Sequence, residues 1–344
     1  MGPNDINSEW MSEMMSADIT SIATCRIGDG LVGLNLRVAL ECMNPEVPSS
    51  VVIKLPSLDE TSRATGVALR NYEREVKFYL GVAATVDIRV PHCHHGAWDE
   101  STGDFVLVLE DMAPAEQGNQ ITGCSPQMAS AAVEELAKLH APRWDDPTLD
   151  DLDWLGGRST PEDIAVVVGL WTMFVPSFLE SYSHYLDAPQ LKVLNGFGER
   201  IEGWLNGRSG PRTVTHGDYR LDNLLFGDGT TAPGVTAVDW QTPSHGSPIV
   251  DLSYFCGAGL LPGERQTYDR MLVQSYVSAL AAGGVEVDEA WTWEQYRRET
   301  FAGVVMAVIA SQVVGGSERS EAMFAAMVTR HLQHAIDLES LALI

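Results

Sequence analysis

Val214-Thr215-His216-Gly217-Asp218-Tyr219-Arg220-Leu221-Asp222-Asn223-Leu224-Leu225-Phe226 sets a polar cluster between an apolar entry and an apolar exit. A loop joining two short strands has this pattern when it presents side chains into a cleft. A few residues further on, Val235-Thr236-Ala237-Val238 is a β-branched run that delivers Asp239 at its end. The stretch from Thr213 to Val238 therefore reads as a β-rich interruption in a helical background.

That background is visible on both sides. Ser125 followed by Pro126 is a helix start, because serine caps a helix and proline suits its first turn. This helix carries Ala132, Leu136 and Leu139 and ends around His140, which packs at the helix end. Apolar-periodic segments follow at about 161–185 and 190–205, and helical patterns resume from about Glu264. The first third reads differently. Strand-like runs at 23–27 and 34–42 flank a glycine-rich turn, and 51–55 is a short β-branched run carrying Lys54. A helix is predicted over 68–82, with Leu69, Tyr72, Val76, Tyr79 and Leu80 on one side. Strands return near 90–98 and 105–109, and after Glu110-Asp111-Met112 the character changes, with Pro114 and Gly118 marking a connection. The expected architecture is α+β: a β-rich lobe over 1–112 with one key helix, and a larger, mainly helical lobe over 113–344.

Composition narrows the partners. The chain has 344 residues and a formal net charge of −25, from 22 basic and 47 acidic side chains. Non-specific binding to nucleic acid or to an anionic membrane needs a basic surface, so neither is expected as a partner. Five scattered cysteines without a C-x-x-C pair read as reduced thiols in a cytoplasmic protein. No signal peptide is read at the N-terminus. The apolar stretches at 164–179 and 302–314 contain Pro176, and Ser311 with Gln312, and are expected to be buried helices.

The polar cluster suits phosphoryl transfer. That reaction needs a carboxylate to orient the attacking hydroxyl and take its proton, and oxygen ligands for divalent ions on the phosphates. Asp218 and Asn223, five residues apart, can divide these tasks, and Asp239 on a neighbouring strand supplies a second carboxylate.

His216-Gly217-Asp218-x4-Asn223 with Val238-Asp239-Trp240-Gln241 resembles the kinase-like phosphotransferases of the aminoglycoside and choline kinase type. The segments Tyr72-Glu73-Arg74-Glu75-Val76-Lys77-Phe78-Tyr79 and Leu107-Val108-Leu109-Glu110-Asp111-Met112 are similar to the ecdysteroid-kinase-like branch. The resemblance runs from about residue 25 to 256. It implies a two-lobed protein-kinase-like fold, with Asp218 as catalytic base and Asn223 and Asp239 as metal ligands. Lys54 and Glu75, 21 residues apart, would form the ion pair that positions the nucleotide, although Glu73 lies within one turn of Glu75 and competes for the role. Gly28-Asp29-Gly30-Leu31-Val32-Gly33 spells G-x-G-x-x-G, yet residues 34–40 alternate apolar and polar like a strand. A dinucleotide fold needs a helix there. A flap over nucleotide phosphates, using Gly28 and Gly30, fits better, and an ordinary hairpin turn is the alternative. The backbone at Glu110 and Met112 would meet the adenine, and Asp251 would brace the catalytic loop or simply cap a helix.

His92-Cys93-His94-His95 invites a zinc site, but adjacent strand residues point to opposite faces and cannot all meet one ion. No G-x-S-x-G elbow and no P-loop motif is present. The expected function is therefore transfer of the γ-phosphate of ATP, with GTP as the other candidate donor, and Mg2+ onto a small-molecule hydroxyl acceptor. The acceptor classes are antibiotic, amino alcohol, sterol-like alcohol, sugar or hydroxyacyl thioester, and the protein would act as a monomer or homodimer. The runner-up is a catalytically silent kinase-like nucleotide-binding protein. A metal-dependent phosphohydrolase would leave Lys54 and Glu75 without a role.

Overall fold

Leu34, Leu36, Val38 and Leu40 alternate along one strand and all four are buried, the two-residue period of a half-buried sheet. The computed structural model describes residues 2–28, 33–157, 160–231, 234–314 and 316–344. They divide into two compact units. The first comprises Met1–Thr85, Val90–Pro114 and Val238–Thr242; the second comprises Val86–Arg89, Ala115–Ala237 and Pro243–Ile344.

The first unit is built on an antiparallel sheet of β1 (Ile19–Ile27), β2 (Gly33–Cys42), β3 (Ser50–Pro56), β4 (Cys93–Trp98) and β5 (Phe105–Glu110), in the order β1-β2-β3-β5-β4. Three helices accompany it: α1 (Ser8–Met15), α2 (Glu60–Ala68) and α3 (Asn71–Lys77). Val51, Ile53 and Leu55 of β3 join the β2 leucines, Val106 and Val108 in one apolar cluster. By strand alternation Lys54 points to the other face.

The helix expected over 68–82 is corrected by the structure. Arg70 takes a left-handed φ of 58° and separates α2 from α3, and the chain widens into a π turn over Phe78–Val82. Both events shift the helical phase. Tyr72, Val76 and Tyr79 are buried as expected, but Leu69 and Leu80 are 51% and 61% exposed.

The second unit holds α4 (Pro126–His140), α5 (Pro161–Tyr182), α6 (Ala188–Gly198), α7 (Ile201–Asn206), α8 (Pro248–Gly259), α9 (Pro262–Ala282), α10 (Glu289–Arg298), α11 (Ala302–Val313) and α12 (Glu318–Asp337). Its short strands are β6 (Glu116–Gln117), β7 (Thr213–Thr215), β8 (Leu224–Phe226), β9 (Val235–Ala237) and β10 (Ser244–Gly246), paired as β6-β8-β9 and β7-β10. Ser125 caps α4 by accepting the Met128 N–H, at the predicted position. The segment expected as one helix over 190–205 breaks at Glu199–Arg200 into α6 and α7.

Burial of α5 also differs from expectation. Only Ile164, Trp171, Phe178 and Tyr182 are buried, a stripe at roughly seven-residue spacing, while Val166 and Met173 are exposed. Among the described residues the run from Pro161 to Tyr185 is the one helix long and apolar enough to cross a membrane, by length and composition only. Helix α8 was not legible in the sequence. It is apolar and buried nearly all round, so it has no periodic face to read.

His140, His331 and His334 are fully buried in this unit. Burial, with Arg265 and Arg330 adding, lowers His331 to about 3. Burial lowers His334 and His140 too. The unfolded chain thus takes up protons below about pH 6.5 that the fold refuses, so this stability is complete above that pH and lost as pH falls. Asp269, pushed up to about 6 by burial, opposes part of the loss. Urea titrations between pH 7.5 and 5 should show stability level above about pH 6.5 and then falling, with a slope that approaches about 1.4 kcal/mol per pH unit for each such histidine. His331→Phe, which keeps a ring without the proton site, should flatten that slope.

Candidate active site

The first unit gathers three of the expected residues. Lys54 sits on the central strand β3, opposite Leu107 of β5, and its Nζ donates to Glu75 Oε1 at 2.6 Å and to Asp239 Oδ1 at 3.0 Å. Glu75, on α3, is wholly inaccessible to solvent, whereas the Asp239 side chain is 37% exposed. Burial opposes the lysine charge, but Asp239 and Glu75 outweigh it and raise the Lys54 pKa above its ordinary value. Burial pushes the Glu75 carboxyl upward, and Lys54 pulls it back.

Glu73 does not compete. It turns to Arg70 and Lys77 on its own helix, and chiefly the Arg70 hydrogen bond lowers it to about 2. Asp239 adopts a left-handed φ of 66°, which costs a non-glycine residue about 1 kcal/mol. Contacts on both sides hold it there. Lys54 takes its carboxylate, the Trp240 N–H donates to Glu75 Oε1 at 3.3 Å, and the Trp240 ring stacks on Phe78 at 3.7 Å between centroids.

In the second unit the polar cluster is a short loop between β7 and β8. Gly217 has φ 78°, a left-handed turn that suits glycine, and Asp218 follows it. The Asn223 Nδ2 donates to both the Asp218 carbonyl and Asp218 Oδ2 at 2.9 Å, so its amide oxygen faces away from that carboxylate. Asp251 lies in the first turn of α8 and settles the choice between brace and cap in favour of the brace. Its carboxylate accepts the His216 N–H at 2.6 Å and the Gly217 N–H at 3.0 Å. His140, at the end of α4, meets the Tyr276 hydroxyl at 2.6 Å and Asp251 at 3.5 Å.

Two more partners of Asp218 went unread in the sequence. Arg220 Nε donates to both Asp218 oxygens at 3.2 and 3.1 Å, while its Nη1 reaches Asp222 at 2.6 Å. Asp218 and its neighbours raise Arg220 above its ordinary value against the pull of burial. The Tyr254 hydroxyl donates to Asp218 Oδ1 at 2.6 Å. Arg220 had a signal, an arginine alternating with two aspartates. Tyr254 had none before α8 was known to be a helix.

The remaining expected positions vary. Gly28 closes β1 with φ 66°, and Gly30 lies outside the described residues. The Glu110 N–H donates to the His92 carbonyl at 2.8 Å, so it belongs to the sheet. Met112 is buried. Rings of His92 and His94 touch edge to face, and among the described residues no three His, Cys, Asp or Glu side chains converge as a metal cluster.

The phosphotransferase enzyme family matches residues 60–297, which include Glu75, Asp218, Asn223 and Asp239. In structure the chain is similar to choline kinase from Cryptosporidium parvum Iowa II, with TM-score 0.59 and 12% identity over 94% of this chain and 91% of that one. It is similar to an ethanolamine kinase from Plasmodium vivax, with TM-score 0.55 and 10% identity over 89% and 81%. The GDP complex of aminoglycoside 2'-phosphotransferase-IIIa gives TM-score 0.53 and 12% identity over 94% and 97%. These likenesses show a shared kinase-like phosphotransferase fold. In sequence, acyl-CoA dehydrogenase family member 10 of Mus musculus is 30% identical over 92 residues, 26% of this chain. The matched segment spans only 8% of that protein's length.

Removing the brace leaves two backbone N–H groups without their acceptor. Asp251→Ala should cost about 3 kcal/mol, read as a lower urea midpoint at unchanged slope. An unchanged midpoint would remove Asp251 from its bracing role.

Proposed function

The chain belongs to the phosphotransferase enzyme family, and on that premise we propose that it moves the γ-phosphate of ATP onto a hydroxyl group of a small molecule. One observation carries most of the weight: Lys54 is a buried cation held between Glu75 and the half-exposed carboxylate of Asp239. A surface charge pair needs no such burial, whereas a cation meant for the α- and β-phosphates must be fixed in place before nucleotide arrives.

In this reading Asp218 receives the proton of the acceptor hydroxyl and aims its oxygen at the phosphorus. By the resemblance, Asn223 of the second unit and Asp239 of the first are the candidate Mg2+ ligands, each considered within its own unit. The donor set suits that ion, since an amide oxygen and a carboxylate oxygen are hard ligands and Mg2+ takes few protein ligands alongside phosphates. Bound Mg2+ would neutralise charge on the transferring group. Backbone groups at Glu110 and Met112 would face the adenine. Gly28, which follows β1, would belong to the flap over the phosphates.

The acceptor is a small hydroxylated molecule, an antibiotic, amino alcohol or sterol-like alcohol. A net charge of −25 favours a neutral or cationic acceptor over a polyanion.

The test is a panel of choline, ethanolamine, kanamycin and a sterol alcohol, each incubated with ATP and Mg2+ and searched for a singly phosphorylated product. Asp218→Asn should lower kcat at least about 100-fold on any accepted compound. Equal rates for variant and parent would overturn the assignment of the base. Separately, ATP or GTP with Mg2+ should raise Tm in a thermal-shift assay, and Lys54→Met should reduce that rise. No rise with either nucleotide would contradict the donor side of the reading.

A further inference from the structure

We propose that Tyr254 is a positioning residue for the acceptor-side carboxylate, and that His331, seated against two glycines, holds Tyr254 in place. The inference rests on the reading of Asp218 as the base and adds a residue to it.

Asp251 and Tyr254 are three apart on α8 and so share a face of that helix. Asp251 fixes the backbone of His216 and Gly217, and Tyr254 fixes the side chain of the next residue, with its hydroxyl on Asp218 Oδ1 at 2.6 Å. The other donors to Asp218 do different work. Arg220 spans both oxygens at 3.2 and 3.1 Å and balances their charge, while Asn223 binds Oδ2 and doubles as a candidate metal ligand. Tyr254 acts on Oδ1 from a rigid helix. Its ring is 4% exposed and cannot swing without disturbing the core.

What stops the ring from tilting is His331. The two rings are stacked, 5.4 Å between centroids and 18° between planes. His331 is fully buried, and neither ring nitrogen has a hydrogen-bond partner. A polar side chain buried without partners costs stability, so what it contributes here is its packing. Room for it comes from glycine. A Cβ at Gly303 would lie 2.0 Å from His331 Nε2, and one at Gly257 would lie 2.5 Å from Nδ1. The Gly303 backbone, the stacked rings of His331 and Tyr254 and the Asp218 carboxylate thus follow one another in contact. A group displaced by about 1 Å from its productive geometry costs about 100-fold in rate, which is the scale on which such packing acts.

The experiment compares parent, Tyr254→Phe, His331→Ala and Asp218→Asn. Each is assayed with ATP and Mg2+ on whichever of choline, ethanolamine, kanamycin or sterol alcohol the parent accepts, and with water as acceptor through ADP release. Tyr254→Phe should lower kcat roughly ten- to hundredfold with KM for ATP unchanged and Tm lowered only by the few degrees that one lost hydrogen bond to a carboxylate costs. His331→Ala should lower kcat in the same direction while also lowering Tm. A Tyr254→Phe kcat within about twofold of the parent, beside an inactive Asp218→Asn, overturns the positioning role and leaves the base in place. A loss of kcat matched by a lower Tm and a higher KM for ATP means a structural role only, and also overturns it. An Asp218→Asn variant as fast as the parent, or a parent that transfers phosphate to none of these acceptors, overturns the underlying reading instead.

Discussion

A carboxylate with no access to water must have a cation beside it, and in this protein Glu75 has Lys54 at 2.6 Å. Removing either partner would strand the other charge in the interior, at a cost of about 3–5 kcal/mol. The first unit is arranged around that requirement. Lys54 stands on the central strand of the sheet, whose other face is closed by the β2 and β3 aliphatic residues, so its ammonium has one direction in which to point. The short helix α3 carries Glu75 to meet it. The ammonium has donors to spare beyond the one Glu75 takes, and Asp239, from a segment distant in sequence, accepts from it as well.

Asp239 shows how such an arrangement is held under strain. Its left-handed backbone is unfavourable, but the Trp240 N–H on Glu75 and the Trp240–Phe78 stack fix the residue that follows it. The π turn beginning at Phe78 belongs to the same packing, since Phe78 is both its first residue and the floor under Trp240. One buried ion pair, one aromatic stack and one strained residue therefore form a single cooperative device.

The second unit solves a different problem. A loop that exposes polar side chains must not leave its own backbone unsatisfied. Helix α8 supplies the answer from one face, with Asp251 on the loop backbone and Tyr254 on the Asp218 side chain. The glycines at 257 and 303 let buried histidine rings pack close behind, and those histidines make the unit sensitive to acid.

The sequence alone determined a good deal. Strand alternation at Leu34–Leu40, the Ser125-Pro126 helix start, the two-part division into β-rich and helical regions and the spacing of Asp218, Asn223 and Asp239 are all local patterns. Local patterns survive in the sequence because backbone period and cap chemistry act between near neighbours. Only the tertiary structure decided which glutamate meets Lys54, since Glu73 and Glu75 differ merely in which way the helix is turned. It also decided that Leu69 and Leu80 face outward, because a left-handed Arg70 and a π turn reset a phase that periodicity assumes constant. Helix α8 carried no amphipathic signal, being buried all round, and so Tyr254 could not be placed beside Asp218, 36 residues away, until the fold brought the two together.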